Sequence, residues 1–227
     1  MTNDDLKAQW TEIQDRLKTN LITLNHNLSF TIGTDGLLKD LHHVVGVDVS
    51  FYPSTQPEHT DASSSEVAVI CLAVLSFPQL QLVHEIIKEV HLPIPYIPGF
   101  LAMREAPAVS SVLADLALSA PHLYPPQILF VDGNGVFHPR GFGVASQIGV
   151  ETGIPTIGVA KNLLEVHSDG ITASHVKQIS DNLAAGGWEK VVGLESQRVY
   201  GACVRATKAA KNPVYVSVGH AVDLDTA

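Results

Sequence analysis

The chain has 227 residues, of which 45% are hydrophobic and 16% charged, so it can bury the core of one compact domain and wholesale disorder is excluded. Its 14 Lys and Arg against 23 Asp and Glu give a net charge of −9. That balance excludes a strongly basic nucleic-acid binder of the histone or ribosomal type, but not an enzyme that meets nucleic acid over a small patch through metal ions.

The first predicted element is an amphipathic helix over residues 4–20, with Leu6, Trp10, Ile13 and Leu17 on one face. No basic and apolar leader precedes it, so a signal peptide is not expected. The longest apolar run, residues 67–75, is too short for a membrane-spanning helix. With two isolated cysteines and no CxxC pair, the sequence indicates a reducing, intracellular location without structural zinc.

The next predicted elements are buried strands at residues 44–51 and 67–75. The polar residues 54–66, with prolines nearby, are typical of a surface loop between them. Residues 80–92 are ambiguous: their apolar positions have helical spacing, yet a third strand of a meander also fits.

From there strands and helices alternate. We predict a helix over 109–120, a short strand at 128–131, a helix starting at 143–149, a strand at 156–160, a helix over 172–184 and three further strands at 191–196, 199–206 and 214–219. A cluster of strands followed by this alternation predicts an α/β fold, a mixed sheet flanked by helices, in one domain over residues 1–227.

Carboxylates in apolar strand segments are the first candidates for chemistry. Asp48 lies in VVGVDVSF and Asp132 ends ILFVD. An ionised carboxylate in apolar surroundings needs a partner, and two that converge with a third, such as Glu105, form an oxygen cage for Mg²⁺. The alternative for each aspartate is a loop cap or a pair with a nearby Lys or Arg.

Asp132 also opens a glycine-rich stretch, DGNGVFHPRGFGVASQIGV, that contains His138 and Arg140. Glycines allow a backbone to approach a ligand closely, and Gly143 opens a predicted helix whose N-terminus favours an anion or a polar base edge. A dinucleotide-binding site is disfavoured, because the GxGxxG spacing is absent and no P-loop is present.

The segment PIPYIPGF, residues 93–100, is a stiff proline-rich loop with Tyr96 at its centre. A rigid exposed aromatic can insert between stacked bases, although a tyrosine packed on its own domain is the alternative. Lys161 after an apolar strand could meet a phosphate or be an ordinary solvated lysine. His220 could assist at a metal site or be a structural histidine.

Taken together and in order, GVDVSF, PYIPGFLAMREAP, VDGNGVFHPRGFGVAS, IPTIGVAKNLL and PVYVSVGH closely resemble the motifs of endonuclease V, the inosine-specific nuclease family. The resemblance covers residues 44–227, and the segments LSFPQL and DGNG are closer to its animal branch. It implies a ribonuclease H-like fold in which residues 80–92 form a strand and the strands of Asp48 and Asp132 are neighbours.

The resemblance also implies a set of site residues. Asp48, Glu105 and Asp132 match its metal-binding carboxylates, Lys161 matches a residue near the scissile phosphate and His220 a histidine beside the metal. Pro95, Tyr96, Ile97 and Pro98 match a wedge that separates strands beside the lesion. The positions that match or adjoin the hypoxanthine pocket are Gly99, Leu101, Gly133, Gly135, His138, Gly143, Val144 and Leu164.

The implied reaction is Mg²⁺-dependent hydrolysis, with Mn²⁺ as a substitute, of the phosphodiester one nucleotide 3′ to inosine, leaving 3′-hydroxyl and 5′-phosphate ends. The expected partner is single-stranded inosine-containing RNA. Deoxyinosine-containing DNA and non-catalytic binding of inosine-containing RNA are the alternatives. We expect a monomer of the cytoplasm, with the nucleus or nucleolus as a further location, that binds nucleic acid weakly and in a salt-sensitive way.

The sequence departs from the family pattern at three places. Gln147 stands where the family usually has His, and Ala221 stands where a basic residue is common. The chain stops at Ala227, ahead of the C-terminal helix and tail that the resemblance implies. We therefore expect weaker nucleic-acid affinity than in longer members.

Overall fold

A computed structural model describes residues 3–51, 66–210 and 212–227. Four α-helices lie in these ranges: α1 (Asn3–Lys18), α2 (Leu101–Ser119), α3 (Val144–Thr152) and α4 (Ala173–Ser180). The strands are β1 (Thr31–Ile32), β2 (Leu38–Lys39), β3 (His43–Phe51), β4 (Glu66–Ser76), β5 (Leu82–Leu92), β6 (Leu129–Asp132), β7 (Thr156–Ala160), β8 (Trp188–Val192), β9 (Val199–Val204) and β10 (Val214–His220). None of these helices is long and apolar enough to cross a membrane.

One mixed sheet of the described residues has the strand order β5-β4-β3-β6-β7-β10-β9-β8. Strands β3, β4 and β5 form an antiparallel meander, β6 and β7 are parallel to β3, and β8 to β10 return antiparallel. The predicted mixed sheet flanked by helices is confirmed. The small hairpin of β1 and β2 was not predicted.

Within the ambiguous residues 80–92, Leu82–Leu92 form strand β5, as the family resemblance implies. Along β5 the side chains alternate between more and less exposed positions, and large apolar residues such as Ile87 remain 65% exposed on its outer face. Apolar residues therefore occur on both faces of β5, and this distribution imitates helical spacing. The predicted loop at 54–66 lies outside the described residues, apart from Glu66, which begins β4.

The helix predicted over residues 109–120 begins eight positions earlier, at Leu101. Pro107 lies inside this helix, although a proline usually indicates a helix break because it has no N–H to donate in the helix interior. Burial of one apolar face compensates, since Ala106, Val112 and Leu116 are fully buried. Because α2 begins at Leu101, Glu105 lies on the helix and not on the preceding loop.

The main core lies between the sheet and helices α2 and α3. Helix α1 packs on α3, and Trp10 joins Ile97, Phe100 and Met103 in a separate cluster at that end. The predicted helix over 4–20 is thus confirmed, with its apolar face turned to this cluster. The opposite face of the sheet is covered at one end by residues that include Phe30, Leu41 and Val222.

Candidate active site

Asp48 and Asp132 lie side by side on neighbouring parallel strands. Val47 of β3 is opposite Val131 of β6, so the next residue of each strand carries its carboxylate to the same place. Desolvation by burial, followed by the hydrogen bond and the negative charge of Asp132, raises the pKa of Asp48. Both side chains remain accessible, at 46% and 29%. The arrangement brings two negative charges together, and such a pair favours the binding of a cation.

Lys161, the first residue after β7, supplies a cation to this pair. Its Nζ lies 2.6 Å from Asp132 Oδ2 and 3.9 Å from Asp48 Oδ2. The hydrogen bond with Asp132 raises the pKa of Lys161, which stays 70% exposed. The two carboxylates therefore converge, as predicted, and both also pair with the same lysine, which was the alternative. The three groups line one side of an open, mainly apolar hollow of about 570 Å³.

Glu105, in the second turn of α2, is the third carboxyl group of the predicted set. It is buried, and burial raises its pKa to about 7, against the lowering effect of Arg104. The charges of Asp132 and Asp48 raise the pKa further. The structure therefore places Glu105 within electrostatic range of the aspartate pair.

A divalent cation fits the aspartate pair in part. Oxygen-only donors are those that Mg²⁺ and Mn²⁺ prefer, and two accessible carboxylates side by side suit such a cation. In the described ranges, no three Asp, Glu, His or Cys side chains lie within reach of one ion. Asp48 and Asp132 are thus the ligands that the structure brings together, and Glu105 remains a predicted third.

His220 lies apart from the carboxylates. His220 is opposite Thr156 at the start of β7, whereas Asp132 is opposite Val159. His220 and Asp132 are therefore about 10 Å apart along the strand direction. His220 is buried, and its Nδ1 accepts a hydrogen bond from Ile22 N at 3.3 Å. Burial lowers its pKa. These contacts are those of a structural histidine and do not support the predicted place beside the metal.

Next to the carboxylates is a small cavity of about 110 Å³. Its lining includes most of the predicted pocket and, in addition, three residues that sequence reasoning missed. The full set is Gln14, Tyr96, Gly99, Leu101, Ala102, Asn134, His138, Gly143, Val144 and Leu164. Asn134 follows Asp132 by two residues, and two residues of backbone span at most roughly 7 Å. The cavity wall is therefore close to the carboxylates. One strand of nucleic acid could thus place a base in the cavity and its backbone over Asp48 and Asp132.

Two predicted pocket residues, Gly133 and Gly135, do not line the cavity. A Cβ on Gly133, whose φ is +139°, would overlap the Val144 side chain, and one on Gly135 would overlap the carbonyl oxygen of Val218. Their role is close backbone packing that leaves Asn134 at the cavity wall. Gly143, which lines the cavity, is packed as closely, since a Cβ added there would overlap the Asn134 carbonyl oxygen.

The Gly99 carbonyl is held from two sides. Arg140 Nη2 donates to it, and the ring of His138 also hydrogen-bonds the Gly99 backbone. His138 Nδ1 accepts from Arg140 N at 3.2 Å, so the proton of the neutral ring is on Nε2. Burial, then the charge of Arg140, lowers the pKa of His138 to about 4. The loop that bounds the cavity is therefore rigidly positioned, with a left-handed Gly99 at φ +82°.

The predicted wedge divides into two roles. Tyr96 is 62% exposed at the mouth of the cavity, so it does not pack on its own domain. Ile97 is only 7% exposed and packs with Trp10, Phe100 and Met103. Pro95 and Pro98 are exposed on either side. Ile97 therefore anchors the loop, and Tyr96 is the residue that it presents.

The two departures inside the chain have structural explanations. Gln147 is buried in α3, and its Nε2 donates to Glu151 Oε1 at 2.8 Å on the same helix. Ala221 has a φ of +56° and pairs its backbone with Ile22 and His26. Neither side chain contacts the carboxylate pair among the described residues.

The chain is similar to known proteins over nearly its whole length. A family model described as Endonuclease V matches residues 26–227. Human Endonuclease V is 38% identical over 224 residues, which are 99% of this chain and 74% of the human protein. Mouse Endonuclease V is also 38% identical, over 99% of this chain and 62% of its own.

Solved structures show the same fold. The catalytic domain of human Endonuclease V superposes with a TM-score of 0.83 at 37% identity, covering 100% of this chain and 86% of that one. Endonuclease V of Ciona intestinalis, in complex with a 24mer DNA containing an inosine followed by a ribo-adenosine, gives 0.82 at 30% identity, covering 98% and 87%. The ribonuclease H-like architecture that the resemblance implied is confirmed.

Proposed function

The chain belongs to the endonuclease V family of nucleases, and on this premise we propose that it is a Mg²⁺-dependent endonuclease specific for inosine. It hydrolyses the phosphodiester one nucleotide 3′ to inosine in single-stranded RNA and leaves 3′-hydroxyl and 5′-phosphate ends. The observation that carries the proposal is the Asp48–Asp132 pair beside a small cavity with Tyr96 at its mouth.

Each described group has a part in this reaction. Asp48 and Asp132 would hold the divalent cation, and Glu105 would complete its ligands or orient the attacking water. When bound, Mg²⁺ supplies activation of the nucleophile and neutralises charge on the phosphate. Lys161, already paired with Asp132, is placed to offset charge that develops on the phosphate oxygens.

The base is recognised but not cut. The cavity holds it between backbone groups of Gly99 and Gly143 and the side chains around them. Close packing at a glycine leaves no room for an additional substituent, and so a guanine 2-amino group would be rejected while hypoxanthine is accepted. Tyr96 would fill the gap that the base leaves in the stack.

An RNA substrate is supported by the ribo-adenosine that follows inosine in the ligand of the Ciona protein. That ligand is otherwise DNA, so deoxyinosine-containing DNA is the second candidate substrate.

The test is single-turnover cleavage of an end-labelled single-stranded RNA with one inosine, with the deoxyinosine DNA of the same sequence beside it. Asp48→Ala serves as the blank. Asp181→Ala is the matched control, since Asp181 is an exposed carboxylate that follows α4, the helix that packs on β8 and β9. We expect a Mg²⁺-dependent cut one nucleotide 3′ to inosine, faster in RNA, lost in Asp48→Ala and kept in Asp181→Ala. Faster cleavage of DNA would move the substrate to deoxyinosine. Binding without cleavage would indicate a non-catalytic inosine binder.

A further inference from the structure

We propose that Gln14 of helix α1 reads the 6-oxo group of the base: its side-chain Nε2 donates a hydrogen bond to O6 of hypoxanthine. The inference rests on the proposed function and adds a specificity-determining residue to its cavity. Helix α1 precedes residues 26–227, the part that matches the family model.

Gln14 occupies an unusual position for an amide. It lies on the apolar face of α1, four residues after Trp10, and is only 1% exposed. An amide buried on the apolar face of a helix is costly unless both of its ends are hydrogen-bonded. Gln14 also lines the small cavity.

The orientation of the Gln14 amide follows from its partner. Arg140 Nε lies 2.8 Å from Gln14 Oε1, and a guanidinium can only donate. The end that faces Arg140 is therefore the oxygen, and the other end is the NH₂ group. Nε2 has no hydrogen-bond partner among the residues that the structure describes. Gln14, a residue that lines the cavity, thus carries a fully buried donor whose orientation is set and whose acceptor is missing.

A second unpartnered group in the same wall indicates the shape of the missing ligand. Asn134 lines the cavity, and its Oδ1 is buried with no hydrogen-bond partner in the described part of the chain. A donor together with an acceptor matches the edge of a 6-oxopurine, in which O6 accepts and N1–H donates. Adenine presents the reverse pattern, an amino donor at position 6 and an acceptor at N1. The pair Gln14 and Asn134 would therefore separate inosine from adenosine, whereas close packing separates it from guanosine.

The experiment compares three single-stranded RNAs that differ in one base: inosine, adenosine and purine riboside, in which a hydrogen replaces O6. The protein is tested as the wild type, as Gln14→Glu and as Gln9→Glu. Glutamate at position 14 keeps the acceptor for Arg140 Nε and replaces the Nε2 donor by an oxygen. Gln9 is exposed on the same helix and receives the same change of charge. Single-turnover rates below saturation and dissociation constants in the absence of divalent cation are both measured.

We expect wild type and Gln9→Glu to prefer inosine over purine riboside by about 10- to 100-fold, the contribution of one well-placed hydrogen bond. In Gln14→Glu this preference should collapse, because inosine loses that factor while purine riboside loses less than about threefold. Thermal unfolding of the three proteins shows whether the substituted chains are folded. The preference of the wild type for inosine over purine riboside is measured without any substituted protein, so it does not depend on the folding of a variant.

A uniform loss on both strands in folded Gln14→Glu would overturn the inference, since it would mean that Gln14 only supports the cavity through Arg140. Unchanged inosine preference in that variant would overturn it as well. If the wild type cuts no strand but binds inosine in a Gln14-dependent way, the nuclease proposal fails and the reading of O6 stands. If no strand is cut and inosine is bound no better than adenosine, both fail.

Discussion

Lys161 Nζ is 2.6 Å from Asp132 Oδ2, so the ammonium group lies where a divalent cation would share the same carboxylate. We expect Lys161→Met to leave the affinity for Mg²⁺ or Mn²⁺ unchanged or raise it, because a competing cation is removed. Single-turnover cleavage should nevertheless fall by about 10- to 100-fold, because charge on the phosphate is no longer offset. Calorimetric Mn²⁺ titration and cleavage assays measure the two effects.

Lys177→Met is the matched control, since Lys177 is an exposed lysine that pairs with Asp181 on α4. It should change neither quantity. A drop in metal affinity in Lys161→Met would contradict the competition between lysine and metal at this carboxylate.

Tyr96 and Ile97 should respond to truncation in opposite ways. Tyr96→Ala removes an exposed ring and should change the free energy of unfolding by no more than about 0.5 kcal/mol. Its cost should be about 1–3 kcal/mol in binding of the inosine strand, the contribution of one stacking contact. Ile97→Ala removes a buried anchor and should destabilise the fold by about 2–5 kcal/mol. Urea unfolding and fluorescence anisotropy separate the two, and equal destabilisation by both substitutions would refute the division of roles.

Gly135 and Gly46 offer a matched pair of glycines. A Cβ at Gly135 would overlap the backbone of Val218, which cannot move as a side chain can. At Gly46, no atom of the described residues lies within 4 Å of an added Cβ. Gly135→Ala should therefore lower the free energy of unfolding by about 1–3 kcal/mol or more. Gly46→Ala, inside β3, should be neutral or stabilising by about 0.5–1 kcal/mol. Chemical denaturation tests this, and a neutral Gly135→Ala would show that the β6–α3 connection can rearrange.

His138 should make the fold sensitive to mild acid. Its pKa in the folded chain is about 4, below the ordinary value of 6.5, mainly because of burial. As the pH falls from 6.5 to 4, the unfolded chain takes up a proton that the folded chain refuses, so stability decreases with falling pH in this window. The loss attributable to this residue is about 3 kcal/mol.

The measurement is the free energy of unfolding between pH 7.5 and 4 for the wild type and for His138→Asn, whose amide can still accept from Arg140 N. His122→Asn, at an exposed histidine, is the control. The slope should be shallower only in His138→Asn. Parallel curves for all three proteins would contradict a buried neutral His138.

The hydrophobic patterning and motifs of the sequence are enough to predict the main strands, the helix α1 and the glycine-rich connection after β6. They also single out Asp48, Asp132 and Lys161, because an ionic group at the end of an apolar segment stands out without any knowledge of its neighbours. The convergence of the two aspartates came from the family resemblance. Physically it depends on β6 pairing with β3 rather than with β5, the strand before it in sequence.

Tertiary structure alone decided which side chains face the cavity. Local periodicity cannot separate Tyr96 from Ile97 within one proline-rich loop, or show that Gly133 and Gly135 pack backbone on backbone. It cannot show that His220 lies beside Thr156 instead of Asp132, since that is a matter of register between β10 and β7. Sequence reasoning missed Gln14, because its partner Arg140 is 126 residues away in sequence. Burial and hydrogen bonding are set by segments that meet only in the folded chain, and for this reason they are absent from any local pattern.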